Sequence, residues 1–540
     1  MNNSSFRSFV LFAMTCMAPF AFIPAAVLSR IKIRVPGFVS ISVVVMLYAC
    51  IVWFKAIDYM FMKHASFLDQ VFAGNYVFSF NPTYALTNVV FFFAFYFSFL
   101  VLYTFFYDKN SARLIKQNRI EVAEKPIQGQ KVKTLEQESG QQVYLGLDEE
   151  KNKLYIDRTR LTDHSAYFGT TGSGKTNTIL SVVESSIINK VPFLYLDIKG
   201  SSSLRDGIQA YCKEHDMPFK CFSVVDESMY YNPLKNGGQT AITDKIINLR
   251  HWDNEYYKSQ AINFIQALVY FLQQIEVDID LATIAKYMNA PQLRSIKLSD
   301  DKANNLRKQL LENLKLDHIK NLSTELDILI NSEIGHLLSP NDNDFIDIYS
   351  SIKKGEAVYF LLQPLLFKNY TELLANAVLS DIKAVLSYGL KEKFKEYHLF
   401  IDEPFSVNIT DGIKTLLAQA RSTNTSVHIA TQAPSDANQY QTNMLDVISN
   451  NINHLYIHRL NNPADAEFVA ESVGTKQGYE ITMQVDRESS GESRGTSKIV
   501  NEFKIHPETI KSLPTGKAVI VDKGRQSYAL GDIRRSLIST

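Results

Sequence analysis

Eight consecutive residues, Gly169-Thr-Thr-Gly-Ser-Gly-Lys-Thr176, constrain this chain more than any other feature. They fit the spacing G-x-x-x-x-G-K-[ST] at every fixed position. Their setting agrees. Ser165-Ala-Tyr-Phe168 has the character of a short buried strand, and Asn177–Ile188 carries apolar residues at helical spacing. A glycine-rich turn between strand and helix lets the backbone curl until successive N–H groups converge at the helix N-terminus, where anions bind. Gly172 and Gly174 supply that freedom. On this pattern Gly169, Thr170, Thr171, Gly172, Ser173 and Gly174 cradle phosphates, Lys175 reaches the outer phosphates, and the Thr176 hydroxyl ligates Mg²⁺. The expected ligands are ATP and Mg²⁺. A chance glycine-rich turn is the alternative, and agreement of strand, loop and helix disfavours it.

A phosphate loop that hydrolyses its ligand needs an acid on a neighbouring strand. Tyr397-His-Leu-Phe-Ile-Asp402-Glu403 supplies one: Asp402 is expected to hold Mg²⁺ through water, and Glu403 to polarise the attacking water. Phe193-Leu-Tyr-Leu-Asp197-Ile-Lys199-Gly200 is a rival, but it lacks the adjacent Glu and is taken as the neighbouring strand. Lys199 either faces a bound polymer or is a solvated lysine on a turn. A helix over Asp411–Ser422 precedes a strand that ends at Gln432. A Gln placed there can sense the γ-phosphate. Arg421 is expected to neutralise charge at a neighbouring subunit's nucleotide, which requires an oligomer. Its alternative role is partner to the helix C-terminal dipole.

The chain has 540 residues, too many for one small domain. Its 56 basic and 56 acidic residues balance, which argues against a surface that coats nucleic acid but not against a narrow basic lumen. Four cysteines show no metal-ligand spacing and no disulfide framework. Three uncharged stretches, 8–28, 37–54 and 84–107, are each about long enough to cross ~30 Å of hydrocarbon as a helix. Arg30, Lys32 and Arg34 follow the first, and Lys109, Arg113, Lys116 and Arg119 follow the third. Both clusters belong on the cytosolic side, so the loop 57–83 lies outside and the large C-terminal part lies in the cytosol. The first stretch contains Pro19 and Pro24 and resembles a signal peptide, but it is read as an uncleaved membrane segment, with a re-entrant or interfacial helix as the alternative. Either way the anchor spans 1–110, with two or three helices, and a juxtamembrane linker covers 111–139.

Strands at about 193–197, 221–224, 357–362, 398–402, 427–431, 454–458 and 518–521 alternate with helices, as in a mostly parallel α/β sheet. Residues 251–345 break the rhythm and form consecutive helices, an all-α insertion between 140–250 and 346–540. Residues 486–497, rich in Ser, Gly, Glu and Arg, are expected to be a mobile loop.

In order along the chain, GTTGSGKT at 169–176, LDIKG at 196–200, YNPL at 231–234 and GEAVYFLL at 355–362 lead to FIDE at 400–403. QARSTNTS at 419–426, ATQ at 430–432 and LPTGKAVI at 513–520 follow. Together with the membrane hairpin, this set resembles the type IV coupling proteins of conjugation and type IV secretion, the TraG/TraD-like ATPases. The resemblance implies a RecA-like P-loop NTPase core with an all-α cap, assembled as a homo-hexamer on the bacterial inner membrane, multi-pass, with its ATPase domain in the cytoplasm. It implies partners as well: single- and double-stranded DNA bound without sequence preference, a relaxase, and secretion-channel components. Two alternatives differ in class. An FtsK/HerA-type translocase would carry DNA without such a channel, and a protein-only secretion receptor would never handle DNA.

Overall fold

The structure, a computed structural model, describes residues 137, 140–313, 316–339, 345–440, 443–483 and 495–539. The expected membrane segments and almost all of the linker lie outside the described residues, as does most of the expected loop at 486–497.

An 11-stranded sheet organises the described chain. Its strands are β1 (Gln142–Asp148), β2 (Lys153–Asp157), β3 (Ser165–Phe168), β4 (Phe193–Asp197) and β5 (Phe219–Ser223). The short β6 (Tyr230–Tyr231) and β7 (Phe345–Ile346) pair separately, and β8 (Ala357–Leu361) and β9 (Tyr397–Asp402) return to the main sheet. So do β10 (Thr425–Thr431) and β11 (His454–Ile457). A separate ribbon, β12 (Thr475–Met483) with β13 (Gly495–Phe503), precedes β14 (Lys517–Asp522) and β15 (Ser527–Ile533). The order is β2-β1-β15-β14-β11-β3-β10-β9-β4-β8-β5. From β11 to β5 every neighbouring pair is parallel, and from β14 to β2 every pair is antiparallel.

The strand sequences explain this arrangement. The central strands are buried along their whole length, as parallel strands covered on both faces must be. Alternation sends successive side chains to opposite faces. Leu194 and Leu196 of β4 join Leu399 and Ile401 of β9 in one core. Phe193 and Tyr195 join Phe400 in the other, under Ile179, Leu180, Val183 and Ile187 of the helix that follows the phosphate loop. Aromatic rings run across that second face: Tyr195 stacks on Tyr359 at 5.2 Å, Phe400 on His428 at 4.6 Å, and Tyr167 on Tyr456 at 4.6 Å.

Between β6 and β7 the described chain is helical: Gln239–Ile247, Glu255–Gln274, Leu281–Tyr287, Ala290–Arg294, Asp301–Asn313 and Leu316–Ile330. Asn254 caps the longest of these by accepting the Tyr256 N–H. The apolar faces of this stretch, with Leu268, Leu272, Leu322 and Leu326, merge into the core that holds Leu194 and Leu196. Helix Pro364–Glu392 is the one described helix long and apolar enough to cross a membrane. Leu374, Val378, Ile382 and Val385 bury its apolar face in that same core, so its hydrophobicity is that of a core helix.

Candidate active site

The P-loop sits where the strand order places it, at the C-terminal end of β3 between β10 and β11. Helix Lys175–Ile188 starts within the motif. Gly174 has φ 107°, and a side chain there would meet the Gly516 backbone N at 3.0 Å, so only glycine suits both its conformation and its crowding. Three neighbouring strand ends brace the loop through backbone groups. The Gly169 N–H donates to the Gln432 carbonyl at 3.2 Å, and the Thr170 N–H to the Arg459 carbonyl at 3.0 Å. From the segment entering β14, the Gly516 N–H donates to the Ser173 carbonyl at 2.8 Å and the Thr515 hydroxyl to the Gly172 carbonyl at 3.2 Å.

Lys175 is buried, and its Nζ lies 2.8 Å from Glu403 Oε1. Residues 228 positions apart in the chain thus meet at the phosphate loop. Glu403 leaves β9 in the left-handed conformation, φ 52° and ψ 49°, with its N–H bonded to the Ala430 carbonyl at 2.8 Å. That turn breaks the strand's alternation and directs the carboxylate to Lys175 instead of into a core. Asp402 is buried beside it. Burial pushes its pKa up to about 7, against the pull of the Lys175 ammonium; Asp197 and Glu403 push the same way as burial. Among the described residues its carboxylate receives one hydrogen bond, a long one, from the Tyr195 hydroxyl at 3.4 Å. A buried carboxylate with so little hydrogen bonding is a hard oxygen donor of the kind a divalent cation takes.

Asp197 pairs in register with Asp402 on the adjacent strand but has a different task. Its carboxylate accepts the Gly200 and Ser201 N–H groups at 2.8 and 2.7 Å and the Tyr359 hydroxyl at 2.7 Å. It shapes the turn into helix Ser202–Glu214. Lys199, on that turn, is exposed.

Gln432 follows β10 directly and is exposed beside the loop. Arg421 is elsewhere. It lies in the 3-10 turn Ala420–Thr423 before β10, while the P-loop lies beyond the other end of that strand. Seven residues at ~3.3 Å each separate the two edges by roughly 20 Å. Its guanidinium is 68% exposed and pairs with Asp163, which precedes β3, at 2.9 Å. Arg421 therefore does not serve the P-loop of its own chain.

Sequence reasoning passed over His458. Its Nε2 lies 2.8 Å from the Thr178 hydroxyl, and its Cβ would be 2.6 Å from a side chain at Gly169. Burial, reinforced by the Lys175 charge, pushes its pKa down to about 4, so a neutral imidazole supports the loop from below. A strand ending in a polar residue beside β3 was the available signal, but only the sheet order shows that β11 is β3's neighbour.

Residues 143–361 match the family model described as the central domain of helicase HerA, and residues 396–515 match that of the TraM recognition site of TraD and TraG. The type 4 coupling protein DotL of Legionella pneumophila is 23% identical over 356 residues, 52% of this chain. The match spans 45% of DotL's own length. The bacterial conjugative coupling protein TrwB, in an unbound form lacking its N-terminal segment, shares the fold: TM-score 0.54 at 15% identity, covering 77% of this chain and 95% of that one. TrwB in complex with ADP and Mg²⁺ gives TM-score 0.52 at 14% identity, with the same coverage. In its ordered motifs, its two family-model matches and its likeness to DotL, carried on this fold, the chain is similar to the type IV coupling proteins.

Proposed function

We propose that this chain is a membrane-anchored ATPase motor that recruits DNA or nucleoprotein to a type IV secretion or conjugation channel and drives it there by ATP hydrolysis. The observation that carries the reading is the convergence of Lys175, Asp402 and Glu403 at one strand edge, with the Lys175–Glu403 contact at 2.8 Å. Residues 140–250 and 346–540 act as the RecA-like nucleotide-binding domain, and 251–345 as its all-α insertion. The 1–110 segment holds the protein in the bacterial inner membrane with the ATPase domain in the cytoplasm.

Bound Mg²⁺ would supply charge neutralisation at the outer phosphates. Thr176 and Asp402 would hold it, and residues 169–174 would hold the phosphates through backbone N–H groups. Lys175 would turn from Glu403 to the β- and γ-phosphates, freeing the Glu403 carboxylate to orient and deprotonate water. Gln432, beside the loop, would report the γ-phosphate. A relaxase and channel components are the expected partners, and DNA would be held through its backbone without sequence preference.

The position of Arg421 supports a ring. An exposed arginine on the sheet edge opposite its own P-loop can complete only a neighbour's site, as in a head-to-tail homo-hexamer. Lys175→Ala and Arg421→Ala should each be inactive alone, because such an arginine contributes on the order of 10³–10⁵-fold. Mixed in equal amounts before assembly, they should regain hydrolysis at about a quarter of sites, those pairing an intact P-loop with an intact arginine. Phosphate release from the mixture checks this; no recovery in assembled mixed rings contradicts the trans role. The HerA central-domain match over 143–361 favours one second reading, a DNA translocase working without a secretion channel.

A further inference from the structure

We infer that the segment 534–539 clamps the helix behind the phosphate loop and is a positioning element of the nucleotide site, a role that rests on the nucleotide reading above. Glu184 lies in the middle of helix Lys175–Ile188 and is fully buried. A carboxylate in that position must be matched. Among the described residues the partners of its carboxylate come from this one distant segment: the Arg534 guanidinium, itself fully buried, the Ser536 hydroxyl, and the Leu537 N–H at 2.8 Å.

The segment is itself anchored. The Arg534 Nε–H donates to the Tyr144 carbonyl at 3.1 Å, and its backbone N–H donates to the Leu145 carbonyl at 2.9 Å, both on β1. Farther along, a side chain on Gly207 of helix Ser202–Glu214 would come within 1.9 Å of the Ser539 carbonyl, so a glycine admits the segment against that helix.

Two contacts tie the clamp to the loop. The Ser536 N–H donates to Asn177 Oδ1 at 3.2 Å, one residue beyond Thr176. Just upstream, the Ile533 N–H donates to the Gly516 carbonyl at 2.7 Å, and the Gly516 N–H donates to the Ser173 carbonyl at 2.8 Å. One continuous stretch therefore grips the loop before Lys175 and the helix after Thr176. The loop amides point where that helix lets them, and a displacement of order 1 Å costs about 10²-fold in reactions that depend on such alignment. The clamp acts through the helix and touches no nucleotide.

The test is binding of a fluorescent ATP analogue with Mg²⁺ to the full-length protein, with Tm measured in parallel. Ser536→Ala removes the hydroxyl bond to Glu184 and should weaken binding about tenfold at temperatures well below Tm. Ser536→Thr, which keeps the hydroxyl, should restore it. Arg534→Lys keeps the charge but loses the planar fork, and should weaken binding likewise, so the question stays decidable if Ser536→Ala does not fold. A merely structural strap would lower Tm and leave affinity unchanged; folded variants binding like wild type overturn the proposal. Failure of the wild-type protein to bind the analogue overturns the nucleotide reading, and the clamp with it. Normal wild-type binding with equal binding by the variants overturns the clamp alone.

Discussion

Lys175→Ala should abolish ATP turnover and nucleotide binding, while Glu403→Gln should abolish turnover and keep binding. The difference follows from position. Lys175 is the one lysine in 169–176, and in the proposed site its ammonium would be the charge nearest the phosphates. Glu403 stands across from it at the end of β9, where a carboxylate can take a proton from water but an amide cannot. Removing a group that acts mainly in the transition state costs roughly 10²–10³-fold. Glu403→Gln preserves shape and keeps an oxygen for Lys175, so its fold should be undisturbed. Phosphate release, analogue binding and Tm on the same preparations separate these effects. Hydrolysis at wild-type rate in either variant would refute the site.

The second large effect is on stability. Lys245→Ala strands Asp381, a carboxylate fully buried at the junction of helix Gln239–Ile247 with helix Pro364–Glu392. Lys245 Nζ lies 2.6 Å from Asp381 Oδ1 and also donates to the Pro233 carbonyl at 2.8 Å. The Tyr231 hydroxyl donates to the other carboxylate oxygen at 3.0 Å. Burial raises the Asp381 pKa, and Lys245 is the strongest influence opposing that. Deleting one partner of a buried pair costs about 3–5 kcal/mol because the other charge remains buried. Against a typical total of about 5–15 kcal/mol, Lys245→Ala should drop Tm steeply and expose the domain to proteolysis. Adding Asp381→Asn, which removes the charge but can still accept from Tyr231, should recover most of the loss. A Tm near wild type for Lys245→Ala would show that the pair is not structural.

The strand edge that brings Lys175, Asp402 and Glu403 together is largely legible in the sequence. The P-loop is contiguous, and the strands at 193–197, 357–361 and 397–402 announce themselves as uninterrupted apolar runs, because parallel strands are covered on both faces. The rivalry between Asp197 and Asp402 was also decidable, since only Asp402 has a following Glu. What stayed hidden depends on sheet order and long-range pairing. β15 alternates weakly, ends at the barely apolar Gly531-Asp532-Ile533, and acquires its place only by pairing β14 and β1. Glu184 reads as an ordinary helix-surface acid until Arg534 arrives from the other end of the chain. His458 follows an apolar strand and Gly516 lies within LPTGKAVI, but only strand adjacency brings them to the loop. Arg421 is expected from the sequence to act at a neighbouring subunit's nucleotide, and its place at the opposite end of β10 from the P-loop excludes a role in its own chain's site.

The most direct measurement is the ATPase rate of the detergent-solubilised full-length protein, with and without single- and double-stranded DNA, across a salt series. A DNA-driven motor predicts stimulation by both forms that fades as salt rises, because phosphate contacts release counterions. An active ATPase indifferent to DNA at every salt concentration would contradict the motor reading and point to a receptor for protein cargo.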